Sequence, residues 1–147
     1  MKIIYGLVND RQDSWCERVF APDNDMEEQM RKNNVPLFAL ESGDYIKDFD
    51  MIGFTLMYEL SYTNVLNMLN LAKIPLKSSE RESLTPLICV GGPCACNPEP
   101  ITDFVDIVFL GDGEESTNEV IDLLKYAKEN NFRFFSFGDA MFIKKDI

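Results

Sequence analysis

The sequence predicts an α/β fold, a three-layer (αβα) sandwich built on a mainly parallel sheet. Short apolar runs alternate along the chain with segments of helical spacing, which is the pattern of a parallel sheet with helices on both faces. Several of these runs are apolar throughout, as strands covered on both sides are. The 147 residues, 46% of them hydrophobic, are enough for one domain with a substantial core.

The first part of the chain contains one ambiguous segment, one predicted strand and one predicted helix. Residues 1–8 (MKIIYGLV) are almost continuously apolar, as in a buried strand, yet their apolar side chains also fit one helix face. Residues 16–21 (CERVFA) predict a short strand. Residues 26–32 predict a helix capped by Asp23 or Asn24, since acidic side chains come first and basic ones last.

The middle of the chain predicts a strand followed by a helix. Residues 50–56 (DMIGFTL) are apolar on both faces, and we expect this strand at the centre of the sheet. Apolar side chains at helical spacing predict a helix over 64–71, capped by Ser61 or Thr63. A polar connection over 77–85 follows it.

Two further strands and the clearest helix complete the predicted domain, residues 1–130. The strands are 86–90 (PLICV) and 107–110 (IVFL), and each runs into a glycine-containing turn. The helix is 114–130, with its apolar residues on one face. The remaining tail, 131–147, predicts a hairpin that turns at its Gly-Asp pair.

The composition excludes several classes of function. The chain has 14 basic and 25 acidic side chains, no histidine and a formal net charge of −11. Direct nucleic-acid binding is not expected, because such proteins usually carry a clustered basic face. No apolar run approaches the ~20 residues of a membrane helix, and the first residues lack the features of a signal peptide. We therefore expect no membrane association, and we expect four reduced cysteines in a cytoplasmic protein.

The lack of histidine also limits the chemistry. A Ser-His-Asp triad, a Cys-His pair and imidazole metal ligands are ruled out. Cys94 and Cys96 are half of a zinc set, with no further ligand near in sequence. Asp112, Glu114 and Glu115 could bind Mg²⁺, but exposed acidic helix caps are far commoner. We predict neither a metal site nor catalytic residues in this chain.

Candidate binding residues come from the loops after three strands, because parallel sheets bind ligands beyond the carboxyl ends of their strands. Paired glycines allow a close approach of backbone to ligand, and the acidic helix start favours hydroxyl, amide or ribose-like donors over phosphate. Tight turns and helix capping explain the same residues without a ligand, and both explanations stay open. The predicted ligand-binding residues are Thr55, Leu56, Tyr58 and Glu59 in the first loop, Gly91, Gly92 and Pro93 in the second, and Gly111, Asp112, Gly113 and Glu114 in the third.

Five segments together resemble one protein family. They are CERVFAP, PLFALESG, GFTLMYELSYTNVLNMLNLAKIPL, GGPCACNPEP and FLGDGEE, and the run from Tyr58 to Leu71 is the most specific. Over about residues 1–130, the chain resembles the N-terminal domain of radical S-adenosylmethionine proteins. That domain is similar to cobalamin-binding domains, so the resemblance implies a flavodoxin-like strand order.

The resemblance implies which positions would face a corrinoid. Thr55 stands closest to the family's Ser-x-Leu position, Gly91-Gly92 match its paired glycines, and residues 111–114 match its Gly-Glu-Gly-Glu turn. The Asp-x-His-x-x-Gly motif of many cobalamin domains is missing, so cobalamin would bind without a histidine ligand. The Cys-x-x-x-Cys-x-x-Cys spacing is missing too, which leaves an iron–sulfur cluster and S-adenosylmethionine to a separate catalytic barrel.

The same alignment implies that the first strand of the family's sheet is missing. It makes residues 1–8 the first helix, and we favour that interpretation over a strand. Three substitutes for the missing strand stay open: residues 1–8 after all, the C-terminal hairpin, or a second copy of the chain in a homodimer.

The favoured interpretation of function is a non-catalytic N-terminal domain. It would hold a corrinoid or the substrate against a radical S-adenosylmethionine barrel, present in the same chain or supplied by another. The alternative is a structural or protein-interaction domain without a ligand, whose interface would include an exposed Tyr58, Tyr62 and Cys94. A flavin- or nucleotide-binding protein ranks last, because the phosphate loop after a first strand is missing.

Overall fold

The computed structural model describes residues 2–83 and 85–130, apart from the side chain of Glu115. The helices and strands of this part are α1 (Lys2–Asn9), α2 (Asn24–Lys32), β1 (Met51–Thr55), α3 (Ser61–Leu71), β2 (Leu87–Gly91), β3 (Ile107–Val108) and α4 (Gly113–Glu129). Short 3₁₀ turns lie at Ile46–Asp48, Ser78–Glu80, Pro93–Cys96 and Glu99–Phe104.

The three strands form one parallel sheet in the order β1-β2-β3. Ile52 pairs with Ile88 and Phe54 with Val90, while Val90 also pairs with Val108 on the other side. A mixed α/β fold with a parallel sheet confirms the predicted class and is consistent with a flavodoxin-like arrangement. Because the strands are parallel, their carboxyl ends meet at one edge of the sheet.

Helices cover the sheet on both faces. Ile88 and Val90 of β2 are fully buried in a core cluster that includes the apolar side chains of α3. Cys89 lies between them, so its side chain points to the opposite face, where it is buried as well. The buried side chains of α4 lie outside that cluster, which places α4 on the Cys89 face. They are Ile121, Leu124 and Ala127.

The ambiguous first segment is a helix, as favoured. Val8 of α1 is buried, and Ile4 lies against the start of α4, where a methyl group added to Gly113 would be 3.7 Å from Ile4 Cδ1. Beyond the helix, Arg11 Nη1 donates a hydrogen bond to Asn118 Oδ1 at 3.2 Å. The apolar residues of α1 are therefore on one side because they pack on a helix, not because they lie within a sheet.

One of the strand predictions is wrong. Residues 16–21 do not form a strand, although the Leu40 N–H donates one backbone hydrogen bond to the Arg18 carbonyl at 2.9 Å. Among the described residues β1 pairs with β2 alone, so its expected place at the centre of the sheet stays a prediction. Strands 86–90 and 107–110 and the last helix are confirmed with small changes of boundary.

The predicted cap of α3 is also wrong. The helix begins at Ser61 with Leu60 at its N-cap position, and the Thr63 hydroxyl instead donates to the Leu60 carbonyl at 3.0 Å. Asp23 occupies the N-cap position of α2 as predicted, without a side-chain capping bond in the described chain. The predicted hairpin of residues 131–147 lies outside the described residues.

Candidate ligand groove at the strand ends

The loop after β1 is attached to the loop after β2 through Leu56. Its N–H donates to the Gly91 carbonyl at 2.7 Å, and its carbonyl accepts from the Cys94 N–H at 3.0 Å. The Leu56 side chain is fully buried in the core cluster. Leu56 is therefore the anchor between two of the three loops, and its side chain is not available to a ligand.

Gly92 is required by the packing of these two loops. Its φ is 104°, in the region that favours glycine. A Cβ at this position would lie 2.9 Å from the Leu56 carbonyl oxygen and 3.2 Å from Thr55 Cγ2. On that side of Gly92, the space left by the missing side chain is filled by the neighbouring loop and not by a ligand.

A groove lies between the loop after β2 and the loop after β3. Its volume is about 420 Å³, and we call it the rim groove. Gly111 has a φ of 91°, and no described atom lies within 4 Å of the position its Cβ would take. The residues that line the rim groove are Gly92, Pro93, Cys96, Leu110, Gly111 and Asp112.

The start of α4 makes one end of the rim groove acidic. Asp112 occupies the N-cap position, but its carboxylate makes no capping hydrogen bond within the described chain. Glu114 follows in the first turn and is exposed. The helix N–H groups attract a negative charge, which Asp112 already supplies. This end therefore suits a donor such as a hydroxyl or an amide better than a phosphate.

Tyr62 holds the turn that carries Cys96. The Tyr62 hydroxyl is 3.2 Å from the Cys94 carbonyl and 3.0 Å from the Asn97 carbonyl, and it donates its proton between them. Desolvation, with the nearby Cys94 and Glu59, raises the pKa of Tyr62. Desolvation and Glu59 likewise raise the pKa of the Cys94 thiol, which disfavours the reactive thiolate.

The exposed interface expected around Tyr58, Tyr62 and Cys94 is therefore only partly correct. Tyr62 and Cys94 pack against the core cluster and are half-buried, because the Pro93–Cys96 turn folds back over α3. Tyr58 is exposed. The neighbouring Met57 and Leu60 are exposed too, and sequence reasoning did not single them out.

Exposed apolar side chains follow two of the strands at this edge. Leu60 is 74% exposed and Tyr58 54%, in the loop after β1, while Leu110 is 58% exposed in the loop after β3. Met57 is exposed as well. We call these four residues the apolar rim. Single exposed apolar residues are ordinary, whereas a contiguous group of them marks a contact surface, so these four residues are a candidate for one.

The structure brings some of the predicted binding residues together and separates others. Four line the rim groove: Gly92, Pro93, Gly111 and Asp112. Gly91 and Gly113 belong to the adjoining backbone, and Thr55, Tyr58, Glu59 and Glu114 are exposed outside the lining. Cys96 and Leu110 also line the groove and were not predicted to bind; their only sequence signal is their place beside the two glycine turns.

Neither a metal-binding cluster nor a membrane-spanning helix is found among the described residues. Across residues 2–83 and 85–130, no group of three or more Cys, Asp or Glu side chains is close enough to hold a metal ion. All four cysteines are free thiols. In the same part of the chain, none of the helices combines the length and the apolar composition that crossing a bilayer requires.

A protein family matches most of this chain. Its description is "Radical SAM proteins, N-terminal", and the match covers residues 1–139. The chain belongs to this family. The region typical of radical SAM N-terminal domains thus includes both loops of the rim groove and residues 131–139 of the tail.

The chain also matches one segment of a longer curated relative. The chain is 34% identical over 87 residues to the uncharacterized protein MJ0966 of Methanocaldococcus jannaschii. The alignment covers 58% of this chain but only 18% of that protein. The chain therefore matches less than a fifth of the relative's length. No solved structure matches this radical SAM N-terminal domain.

The rim groove by itself is too small to enclose a corrinoid. Its volume lies within the ~300–1,000 Å³ of pockets for drug-sized ligands, and a corrinoid is larger than such ligands. The open space beside Gly111 can receive the edge of a flat molecule. The sequence has no histidine to reach a cobalt atom. The remaining walls would have to come from another domain.

Proposed function

We propose that this domain holds a corrinoid or the substrate against a separate iron–sulfur catalytic barrel and is not catalytic itself. The observation that carries the proposal is the rim groove, which opens at the strand ends beside the apolar rim, in a chain of the radical SAM N-terminal family. The groove would receive the ligand, and the apolar rim would contact the barrel.

Each wall of the rim groove has a separate role in this proposal. The backbone of Gly111 lets a ligand approach closely, and Pro93 and Leu110 contact its apolar parts. Asp112 accepts a hydrogen bond from a hydroxyl or amide of the ligand. A bound corrinoid would supply a cobalt centre for group transfer, whereas this chain would only position it. No residue of the groove is proposed to donate or remove a proton.

The barrel, the iron–sulfur cluster and S-adenosylmethionine belong to the partner in this proposal. The partner is present in the same polypeptide or in a second one. The first case is supported by the relative, in which the matching segment is 18% of the protein. We place the complex in the cytoplasm, because four free thiols suit a reducing compartment.

Corrinoid binding is tested by gel filtration of the full chain with hydroxocobalamin at tens of micromolar protein. We expect the visible spectrum of the corrinoid in the protein peak. Gly111→Ala should reduce it, since Gly111 lines the rim groove and alanine adds a methyl group there. Gly43→Ala is the matched control, because Gly43 also has a positive φ, of 81°, and open space around it. A peak without corrinoid from the unmodified chain rejects corrinoid binding by this chain.

The second candidate function is a docking domain that binds no small molecule. The apolar rim favours it, as does the negative charge of Asp112 and Glu114, which would repel an anionic ligand. It predicts a stable complex between the full chain and a separately expressed radical SAM catalytic domain from the same source. Leu60→Asp should weaken that complex, whereas Leu123→Asp should not. Leu123 is exposed but ten residues along α4, about 15 Å from the helix start.

The two experiments separate the candidates. Corrinoid binding that Gly111→Ala reduces, together with a complex that Leu60→Asp weakens, supports the first function. A complex without corrinoid binding supports the second. Failure of both, with a folded chain, overturns both proposals.

A further inference from the structure

An apolar pocket lies beside α2, lined by residues from the segments 20–26 and 37–40. Its volume is about 220 Å³, and we call it the α2 pocket. The lining includes the buried Leu37, whereas the lining side chains of Phe20 and Leu40 are exposed. Pockets for drug-sized ligands usually measure ~300–1,000 Å³. The α2 pocket is therefore suited to one or two apolar side chains.

The two walls of the α2 pocket are joined to each other by hydrogen bonds. The Leu40 N–H donates to the Arg18 carbonyl at 2.9 Å. The Glu41 carboxylate accepts from the Arg18 backbone N–H at 2.8 Å and from Arg18 Nε at 2.7 Å. Because these bonds lie within the chain itself, the pocket is preformed, and binding would cost little ordering of its walls.

The charged side chains in the walls of the α2 pocket are acidic. Segments 20–28 and 37–44, which include both walls, contain acidic side chains and no lysine or arginine. Glu27 and Glu41 are paired with arginines, but Asp23, which lines the pocket, has no ion pair within the described chain. A basic side chain on the occupant would therefore be complementary in charge.

The same charges disfavour two other occupants. The cytoplasmic surface of a membrane is itself negative, so it would be repelled by the acidic pocket. A second copy of this chain carries a net charge of −11 and would be repelled as well.

We propose that the α2 pocket is a docking site for a segment of a partner protein that inserts one bulky apolar side chain and carries a lysine or arginine next to it. The apolar side chain would be buried against Phe20, Met26 and Leu40, and the basic one would pair with Asp23.

The α2 pocket is separate from the rim groove. The Leu37 N–H donates to the carbonyl of Leu71, the last residue of α3. That residue is about 15 Å along the helix from Ser61, which follows the apolar rim. The proposed docking site is therefore independent of the proposed function.

Methionine-methyl NMR of the full chain tests the docking, with three capped peptides as probes. The first is Gly-Lys-Phe-Lys-Gly, the second has glutamate in place of both lysines, and the third has serine in place of phenylalanine. We expect the first to shift the Met26 methyl signal saturably. The second should bind at least several-fold more weakly because of charge repulsion, and the third about tenfold more weakly because it lacks the buried ring. No saturable shift with the first peptide, or equal binding of either other peptide, overturns the proposal.

Two variants with matched controls locate the contact. Leu40→Ser removes an apolar wall and Asp23→Asn removes the charge while keeping a good helix cap, so each should weaken binding several-fold. Leu123→Ser and Glu129→Gln make the same kinds of change at exposed positions of α4, on the other face of the sheet, and should not weaken it. An unchanged signal of the buried Met30 shows that each variant is folded. Equal effects of variants and controls overturn the proposal.

Two measurements without peptide identify any other occupant. Met26 is 42% exposed and Met30 4%, so a soluble, neutral gadolinium chelate should broaden the Met26 signal and spare that of Met30. If the chelate spares Met26 as well, the pocket is already covered and the proposal is wrong. Sedimentation equilibrium then distinguishes the cover: a doubled mass indicates a second copy, and a monomer indicates another part of the same chain.

Discussion

The Arg81 guanidinium joins the two segments that lead into β2 and β3. Its Nη2 donates to Asp106 Oδ1 at 2.8 Å, and the Arg81 side chain is only 5% exposed. Asp106 Oδ2 accepts from the Ile88 N–H at 2.7 Å. The guanidinium also donates to three backbone carbonyls, those of Pro75, Leu76 and Phe104. This network lies at the end of the sheet opposite the rim groove, so it supports the strands without contacting a ligand.

We expect Arg81→Met to destabilise the domain strongly. The substitution leaves a partly buried Asp106 carboxylate without its cation, and breaking a buried ion pair typically costs about 3–5 kcal/mol. Urea unfolding measures the change in the free energy of unfolding. Arg18→Met is the control, because the Arg18–Glu41 pair is exposed and such pairs contribute little. Equal losses for the two variants would contradict the assignment.

Gly92→Ala should destabilise the domain more than Gly43→Ala. Both substitutions force alanine into a positive φ, which costs on the order of 1 kcal/mol or more. Only at Gly92 does the new methyl group also meet a backbone atom, the Leu56 carbonyl oxygen, at 2.9 Å. The difference between the two variants in the free energy of unfolding, measured in urea, isolates the cost of the steric contact at Gly92. A loss at Gly92 no larger than at Gly43 would show that the two loops are not closely packed.

Tyr62→Phe should loosen the turn that carries Cys94 and Cys96. The substitution removes the hydroxyl that donates to the Cys94 and Asn97 carbonyls. We expect a several-fold faster reaction of the Cys94 thiol with a disulfide reagent at constant pH. Tyr58→Phe serves as the control, since Tyr58 is exposed. An unchanged rate in Tyr62→Phe would mean that the turn is held by its other contacts.

Stability should fall at alkaline pH because of Cys89. Burial, and the nearby Asp106 charge, raise the pKa of this thiol far above its ordinary 9.0. The unfolded thiol ionises above that pH while the folded one stays protonated, so the folded state binds more protons. The free energy of unfolding therefore declines as pH rises beyond 9.0, by up to about 1.4 kcal/mol per pH unit.

The contribution of Cys89 is isolated by comparison with Cys89→Ala. Urea unfolding is measured between about pH 8 and 10.5, a range that includes the pKa of an unfolded cysteine thiol. Over this range the free energy of unfolding should decline less in Cys89→Ala than in the unmodified chain. Cys16→Ala is the control: burial raises the pKa of Cys16 as well, but this thiol is only half-buried, so its removal should change the decline less. Parallel curves for the unmodified chain and Cys89→Ala would refute the assignment to Cys89.

The local sequence predicted the secondary structure correctly where its pattern is compatible with only one kind of element. The apolar run 86–90 gave the buried β2, and the long amphipathic segment gave α4. Residues 16–21 satisfied the local preferences of a strand, but pairing depends on a partner distant in sequence. The same limit applies to β1: apolar character on both faces does not identify its neighbours, and among the described residues it pairs with β2 alone.

The candidate site shows the same division. The sequence identified the glycine turns at 91–93 and 111–113 and the acidic start of α4. It could not show that Gly92 faces the Leu56 backbone while Gly111 faces open space. Nor could it show that Cys96 and Leu110 complete the rim groove. Equivalent glycines thus have different roles, because their neighbours come from other loops.

The sequence by itself determined the α/β class, the acidic charge, the lack of any imidazole chemistry and the order of most elements. These follow from residue types and short-range periodicity, which each segment carries alone. Only the tertiary structure decided that residues 2–9 pack as a helix on α4 and that the groove opens between the second and third loops. Those outcomes depend on which distant surfaces can pack together, and packing between distant segments is not encoded in any one of them.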